Sequence, residues 1–411
     1  MAHAAVAAGS SAVDADDASF RLLSVSWNQD SSCFTAATTA DFRVFSCAPF
    51  RESLRRVLPS GGGGGYAIVE MLFRSSLFAL VAAGEAGRHR VELWDDSKNR
   101  RVGDITGIRS AVRAVRLSTA YLAVVLDRTV RVYELGDLAR PLWKIPTALN
   151  PRGLCCLSSS HAGAPGSGVL ACPGTARGQV RVEDLRKEQA ATRLIAAHSS
   201  EIACMAMTTD GAVLATASVK GTLVRVFSTM DGTCLQEVRR GRDQADIHSI
   251  ALSPNLRWLA VCSDKGTLHV FSLRVRDAGG NQSAAAGSTV QTNTASNARS
   301  SLSFMKGILP DYFSSEWSFA QFRLPETIRY VAAFGEHNTV MVIGMDGSFY
   351  RCGFDPVNDG KEMVRKEYFR FLKDKDSPPI RTLEKNTMIE LHDVRRTPYA
   401  RKVHSRFHVY I

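Results

Sequence analysis

A repeated strand ending constrains this chain more than anything else in it. Short β-branched and apolar runs close on an apolar residue followed by an aromatic at Val44-Phe45, Leu93-Trp94, Val132-Tyr133, Val226-Phe227, Val270-Phe271 and Phe349-Tyr350, with a degraded copy at Val180-Arg-Val182. Most spacings fall between about 39 and 49 residues, and the last is longer because it contains a Ser-, Ala-, Asn- and Gly-rich stretch at 274–303. A period of this size marks a repeat fold, and four short strands per copy make a propeller blade. The expectation is an all-β, seven-bladed β-propeller. Its repeats are a divergent WD type, since only Leu93-Trp94-Asp95 resembles the WD dipeptide, and long amphipathic helical patterns are nearly absent.

The pattern sets the boundaries. Residues 20–372 form the propeller, with a flexible insert at 274–316 in the sixth blade. Residues 1–19 are small and acidic and read as disordered, and 373–411 read as a basic tail outside the core. The glycine run Gly61 to Gly65 must be a loop. No apolar run approaches the ~20 residues that a membrane span requires, and the N-terminus lacks the basic and apolar regions of a secretory signal. A soluble protein with at most peripheral membrane contact is expected. Nine cysteines without a CxxC pair read as buried free thiols, not as a zinc site or disulfide framework. No metal or cofactor is called for. The formal net charge of +11 favours anionic partners without choosing among them.

Two adjacent repeats are more alike than the rest: Ser218-Val-Lys-Gly-Thr-Leu-Val-Arg-Val-Phe227 and Ser263-Asp-Lys-Gly-Thr-Leu-His-Val-Phe271. Each carries hydroxyls and a basic side chain that core packing does not require. Thr216 and Ser218 share a strand face, as do Thr267 and His269. Between the repeats lies Val238-Arg239-Arg240-Gly241. On an extended segment the two arginines point to opposite sides, so each can complete one of two similar polar sites. The planar guanidinium fork suits phosphate. Gly221 and Gly266 allow tight turns whose N–H groups could approach an anion. Each feature also has a plain reading. A surface Arg-Arg pair is usually solvated charge, a lone His198 is more often a core or turn residue, and Lys-Gly-Thr is a common hairpin turn. The duplication on both sides of the arginines favours a site.

The stretch Val238-Arg-Arg-Gly-Arg-Asp-Gln-Ala-Asp-Ile-His-Ser249 resembles the Phe/Leu-Arg-Arg-Gly signature of the PROPPIN family, the phosphoinositide-binding propellers of autophagy. Trp27-Asn-Gln-Asp30, Phe42-Arg-Val-Phe45, Ala197-His-Ser-Ser-Glu-Ile202 and the two Lys-Gly-Thr repeats match as well, and Leu302 to Phe322 resembles the plant branch. The resemblance implies one headgroup site on each side of the arginine pair. The first would use His198, Thr216, Ser218, Gly221, Thr222, Arg225 and Arg239; the second, Arg240, Gly241, Ser263, Thr267 and His269. Asn28 matches a further polar position. Val238 departs from the usual Phe or Leu, and Thr216 stands where Ser is common; both keep the chemistry. The implied ligands are phosphatidylinositol 3-phosphate and phosphatidylinositol 3,5-bisphosphate. The implied partners are phosphoinositide-containing membranes and autophagy proteins, including a large lipid-transfer protein. The implied location is the cytoplasm, peripheral on autophagosome-precursor, vacuole or endosome membranes.

Within the insert, Phe304, Met305, Ile308, Leu309, Tyr312 and Phe313 fall on one face at helical spacing, interrupted by Pro310. The resemblance implies that this face dips into the bilayer; the plainer reading packs it back onto the propeller. His198 and His269 are expected to gain charge near pH 6 and strengthen phosphate binding. The rival function is a propeller scaffold for protein complexes without lipid binding. A nucleic-acid binder has only net charge in its favour, with no basic platform interleaved with aromatics. An enzyme is disfavoured by the absence of GxSxG, Walker, HExxH or paired-carboxylate motifs.

Overall fold

The computed structural model describes residues 21–57, 65–159, 168–186, 191–274, 316–358 and 362–372. These form twenty-eight strands, β1 to β28, in seven four-stranded antiparallel sheets. Each sheet takes four consecutive strands and is one blade. The seven endings read from the sequence all fall in third strands: β3 (Phe42–Cys47), β7 (Val91–Asp95), β11 (Thr129–Glu134), β15 (Gln179–Asp184), β19 (Leu223–Ser228), β23 (Thr267–Ser272) and β27 (Ser348–Gly353). The reason is side-chain alternation. In β19, Val226 packs toward blade 6, whereas Phe227 packs toward blade 4. The apolar-aromatic pair therefore fills two inter-blade layers at once.

Second strands are sandwiched on both faces, and their sequences show it. Cys33–Thr38, Val213–Ser218 (β18), Trp258–Ser263 (β22) and Thr339–Gly344 are buried throughout and carry no charge. The described helical content is one 3-10 turn, Gly87–His89. Seven of the nine cysteines are buried, Cys156 is half-buried and Cys234 is exposed; all are free thiols.

Among the described residues no sheet borrows a strand from the other end of the chain, and blades 1 and 7 meet through side chains. Phe34 and Phe45 of blade 1 meet Ile343, Phe349 and Phe371 of blade 7 in one apolar layer. Phe50 stacks on Phe369 with centroids 4.4 Å apart, and the Arg351 guanidinium donates to the Cys47 carbonyl. In sequence, residues 275–315 lie between β23 and β24 (Ala320–Arg323), the third and fourth strands of blade 6.

Candidate functional site at the rims of blades 5 and 6

The first candidate site is built on the face that blade 5 turns toward blade 4. Leu214 and Phe227 on that face pack against Val182, Ile195 and Ala197. Two residues further along each strand the layer turns polar. Thr216 stands opposite Arg225, and Arg225 opposite Glu237 of β20 (Cys234–Arg239). Directly opposed residues share a face, so Thr216, Ser218, Arg225, Glu237 and Arg239 form one polar rim. His198 arrives from the connection between blades 4 and 5, with its Nε2 3.0 Å from Thr216 Oγ1. Arg225 donates from Nη1 to the Ala197 carbonyl at 2.7 Å and from Nε to Glu237 Oε2 at 2.7 Å.

The second candidate site repeats this on the face blade 6 turns toward blade 5. Leu259, Val261 and Phe271 join the layer between those blades. Ser263, Thr267 and His269 continue the same strand faces, with His269 opposite Val261 and Gln321. His269 is 7% exposed, and its Nδ1 is buried without a hydrogen-bond partner. Its register mate is the neutral Gln321, where Arg225 has a carboxylate.

The arginine pair divides the two. Arg239 ends β20 on the face shared with Arg225 and Glu237, and its backbone N–H donates to the Glu316 carbonyl at 2.8 Å. Arg240 turns the other way, toward blade 6. Its Nε donates to the Gly221 carbonyl at 2.8 Å and its Nη2 to the Asp243 carbonyl, and it is 8% exposed. Burial pulls its pKa down against the opposing pull of Asp264 and Asp243. Glu316, where the described chain resumes after the insert, pairs in parallel with Val238. Its Oε1 lies 3.4 Å from Arg274 Nη1, the last described residue before the insert. Both ends of the insert are thus fastened beside the arginine pair.

Several expectations change. The turn N–H groups are already used: Gly221 N donates to Ser218 O at 2.8 Å and Gly266 N to Ser263 O at 3.2 Å. Gly221 has φ +63°, and a Cβ there would meet Ala245 O at 1.8 Å. That glycine admits the neighbouring connection. Thr222 and Thr267 are not equivalent despite the matched Lys-Gly-Thr. One extra residue in blade 5 leaves Thr222 ahead of the strand, and Leu223 takes the register of Thr267; Arg240 N donates to the Thr222 carbonyl at 2.9 Å. The histidines do not titrate near pH 6. Burial and Arg225 push His198 down to about 4, and burial and Arg240 do the same to His269. A Cβ on Gly241 would meet nothing within 4 Å. Asn28 is saturated, donating to Ser32 Oγ and Phe73 O and accepting from Cys33 N, each at 3.1 Å. It clasps blades 1 and 2, away from both rims. Phe304, Met305, Ile308, Leu309, Tyr312 and Phe313 lie outside the described residues. Sequence reasoning missed Glu237; its position two residues before Arg239 on one strand was the available signal.

Among the described residues no helix is long and apolar enough to cross a membrane, and no cluster of metal-ligating side chains is present. The PROPPIN family model matches residues 21–369. The chain is 43% identical over 357 residues to Autophagy-related protein 18e of Arabidopsis thaliana, covering 85% of this chain and 88% of that protein. To SVP1-like protein 2 of Saccharomyces cerevisiae it is 32% identical over 346 residues, 75% and 74% of the two chains. Kluyveromyces lactis Hsv2 superposes with a TM-score of 0.67 at 22% identity, over 86% of this chain and 100% of Hsv2. A chain from the solved complex of KlAtg21 with the coiled-coil of AgAtg16 gives 0.66 at 22% identity, over 85% and 99%. The structural likenesses speak for the fold, whereas the family match spans every blade and the Arabidopsis relative matches over most of both chains, so this propeller belongs to the PROPPIN family.

Proposed function

We propose that the chain is a peripheral membrane protein that binds the headgroups of phosphatidylinositol 3-phosphate and phosphatidylinositol 3,5-bisphosphate and acts as effector and scaffold in autophagosome formation. The observation that carries this reading is the doubled polar rim. Neighbouring blade faces repeat one register of hydroxyl and basic side chains, and Arg239 and Arg240 divide between them. Each rim is shallow and polar, so a single headgroup is held weakly. Two headgroups bound to one rigid body gain affinity through effective concentration, with basic residues adding about 1 kcal/mol each on an anionic surface, weakening with salt.

The fastening of both insert ends beside Arg239 supports an insert that reaches the same bilayer, through Phe304, Met305, Ile308, Leu309, Tyr312 and Phe313. The likeness to Autophagy-related protein 18e of Arabidopsis thaliana supports autophagy as the setting. A large lipid-transfer protein and a coiled-coil protein are the proposed partners, the second because a similar propeller was solved with one. Binding, not catalysis, is the proposed activity, and precursor, vacuole or endosome membranes the location.

The test is flotation on vesicles containing phosphatidylinositol 3-phosphate, comparing the unmodified chain with Arg239→Thr and Arg239→Thr/Arg240→Thr. Circular dichroism and thermal melting accompany each variant, because Arg240 also braces two carbonyls. Loss of flotation in a folded Arg239→Thr chain supports the reading. An unmodified chain that does not float at moderate salt sinks it and leaves the protein-scaffold reading.

A further inference from the structure

The register that builds the two rims recurs around the ring. Arg43, Arg131, Arg181, Arg225 and His269 occupy one equivalent third-strand position, each opposite the second strand at Ala36, Val124, Cys172, Thr216 and Val261 respectively. Three of these cations are neutralised inside their own blade. Arg43 meets Asp41 at 3.0 Å and Glu52 at 3.8 Å, Arg181 meets Glu183, and Arg225 meets Glu237 at 2.7 Å. His269 is buried beside a neutral Gln321.

Arg131 breaks the pattern. The residue directly across from it, on the outer strand β12 (Trp143–Pro146), is Lys144. Two cations at a directly opposed pair repel, and among the described residues neither has an acidic partner. Arg131 shares its strand face with Val124 and Tyr133, which pack toward blade 2. The blade-2 side of that layer is the buried Ala79, Val81, Val91, Leu93 and Ile105, with Glu70, opposite Ala79, already paired to Arg116 at 3.5 Å. The blade-2 carboxylates Glu92 and Asp104 point away from it, since Leu93, Gly103, Val91 and Ile105 hold the alternate positions of their strands. Thr129 stands two residues before Arg131 on the same face, as Thr267 stands before His269. The local sequences agree: Asp127-Arg-Thr-Val-Arg-Val-Tyr133 repeats Asp264-Lys-Gly-Thr-Leu-His-Val-Phe271 less its glycine.

We propose that the groove between blades 2 and 3 is a third anion site, in which Arg131, Lys144 and Thr129 take a phosphate monoester. The bound anion supplies the negative charge that Asp or Glu supplies to Arg43, Arg181 and Arg225, and the guanidinium fork and hydroxyl give it directional donors. Blade 3 lies across the ring from blade 6, so an edge-on bilayer that meets blades 5 and 6 leaves this groove facing away. The phosphate then comes either free in solution, as an inositol phosphate, or on a headgroup of a second membrane.

The site is read with a soluble anion, so its test does not depend on membrane binding by blades 5 and 6. Titration calorimetry with inositol 1,3-bisphosphate compares the unmodified chain with Arg131→Ala/Lys144→Ala. The expected result is loss of about one equivalent per chain in the variant. In a second measurement, Lys144→Glu raises the melting midpoint by about 1–3 °C without anion, as repulsion becomes attraction. Inorganic phosphate at constant ionic strength then stabilises the unmodified chain more than this variant. Light scattering of vesicles containing phosphatidylinositol 3-phosphate separates the sources. Clustering that the double alanine variant loses points to a second membrane, and unchanged or absent clustering beside a lost soluble equivalent points to a free anion. Equal stoichiometry and affinity in the two chains, with equal stabilisation of Lys144→Glu by phosphate, overturns the proposal.

Discussion

Arg225 donates through Nε to Glu237 Oε2 at 2.7 Å, so the first rim holds its own counterion in the same strand pair that presents its cation. A phosphate arriving at Thr216 and Ser218 must compete with that carboxylate. Replacing Glu237 by Gln keeps the shape and removes the charge. The pair is partly exposed, so the gain is held to about 1 kcal/mol, roughly fivefold in headgroup affinity. Vesicle titration of Glu237→Gln checks it. Weaker binding instead would mean that Glu237 aims Arg225 at the ligand.

The two histidines give their pH signature in stability, where the sequence expectation put it in phosphate binding. Both have folded pKa values of about 4, below the ordinary 6.5. A depressed histidine contributes stability that is fully present above pH 6.5 and lost as pH falls toward 4, because the unfolded chain then binds protons the fold refuses. Headgroup affinity should show no histidine-linked change between pH 6 and 8. Thermal stability should drop between pH 6.5 and 4, and His269→Gln should flatten that drop, by on the order of 3 kcal/mol at its acid limit. Melting curves across this range, set against flotation at pH 6 and 8, check both halves.

The arginine pair should separate binding from folding. Arg240 is 8% exposed and donates to two carbonyls, Gly221 and Asp243. Arg240→Thr leaves them short of a donor and should cost about 2–3 kcal/mol of stability. Arg239 is half-buried at a strand end, and Arg239→Thr should cost under about 0.5 kcal/mol. Urea denaturation of the two single variants distinguishes them; equal losses would mean Arg240 is no brace.

Two glycines of the candidate site should respond oppositely to alanine. Gly221 combines φ +63° with the Ala245 carbonyl 1.8 Å from its missing Cβ, so Gly221→Ala should destabilise by about 2–4 kcal/mol. Gly241 has open space, so Gly241→Ala should shift stability by less than about 1 kcal/mol. Thermal melts of the two variants test the contrast.

Closure by packing makes the seam between blades 1 and 7 sensitive to single aromatics. Phe349 is fully buried and stacks near Phe34 and Phe50, with centroids 6.1 and 4.5 Å away. Phe349→Ala should cost about 3–5 kcal/mol. Phe369→Ala, on the exposed outer strand Val364–Arg370, should cost less. Hydrogen exchange should show blades 1 and 7 opening first in Phe349→Ala; uniform loosening around the ring would count against a local seam.

The sequence alone determined the blade count, because an aromatic beside an aliphatic at fixed period serves two packing layers, and only stacked sheets need both. It also determined the pairing of chemistry across the arginines: alternation sends Arg239 and Arg240 to opposite faces wherever the strand lies. Tertiary structure decided what those groups do. Glu237, twelve positions from Arg225 on the next strand, neutralises it only because β19 and β20 pair in one register. Burial between blades, which no motif reports, lowers His198 and His269 out of the physiological range. The approach of Ala245 gives Gly221 its role, and one inserted residue parts Thr222 from Thr267. Like charge at Arg131 and Lys144 likewise meets only across a strand pair, since they lie thirteen positions apart in the chain. Periodicity survives in sequence because the same packing recurs in every blade, whereas register, burial and counterions depend on which residues the fold brings opposite one another.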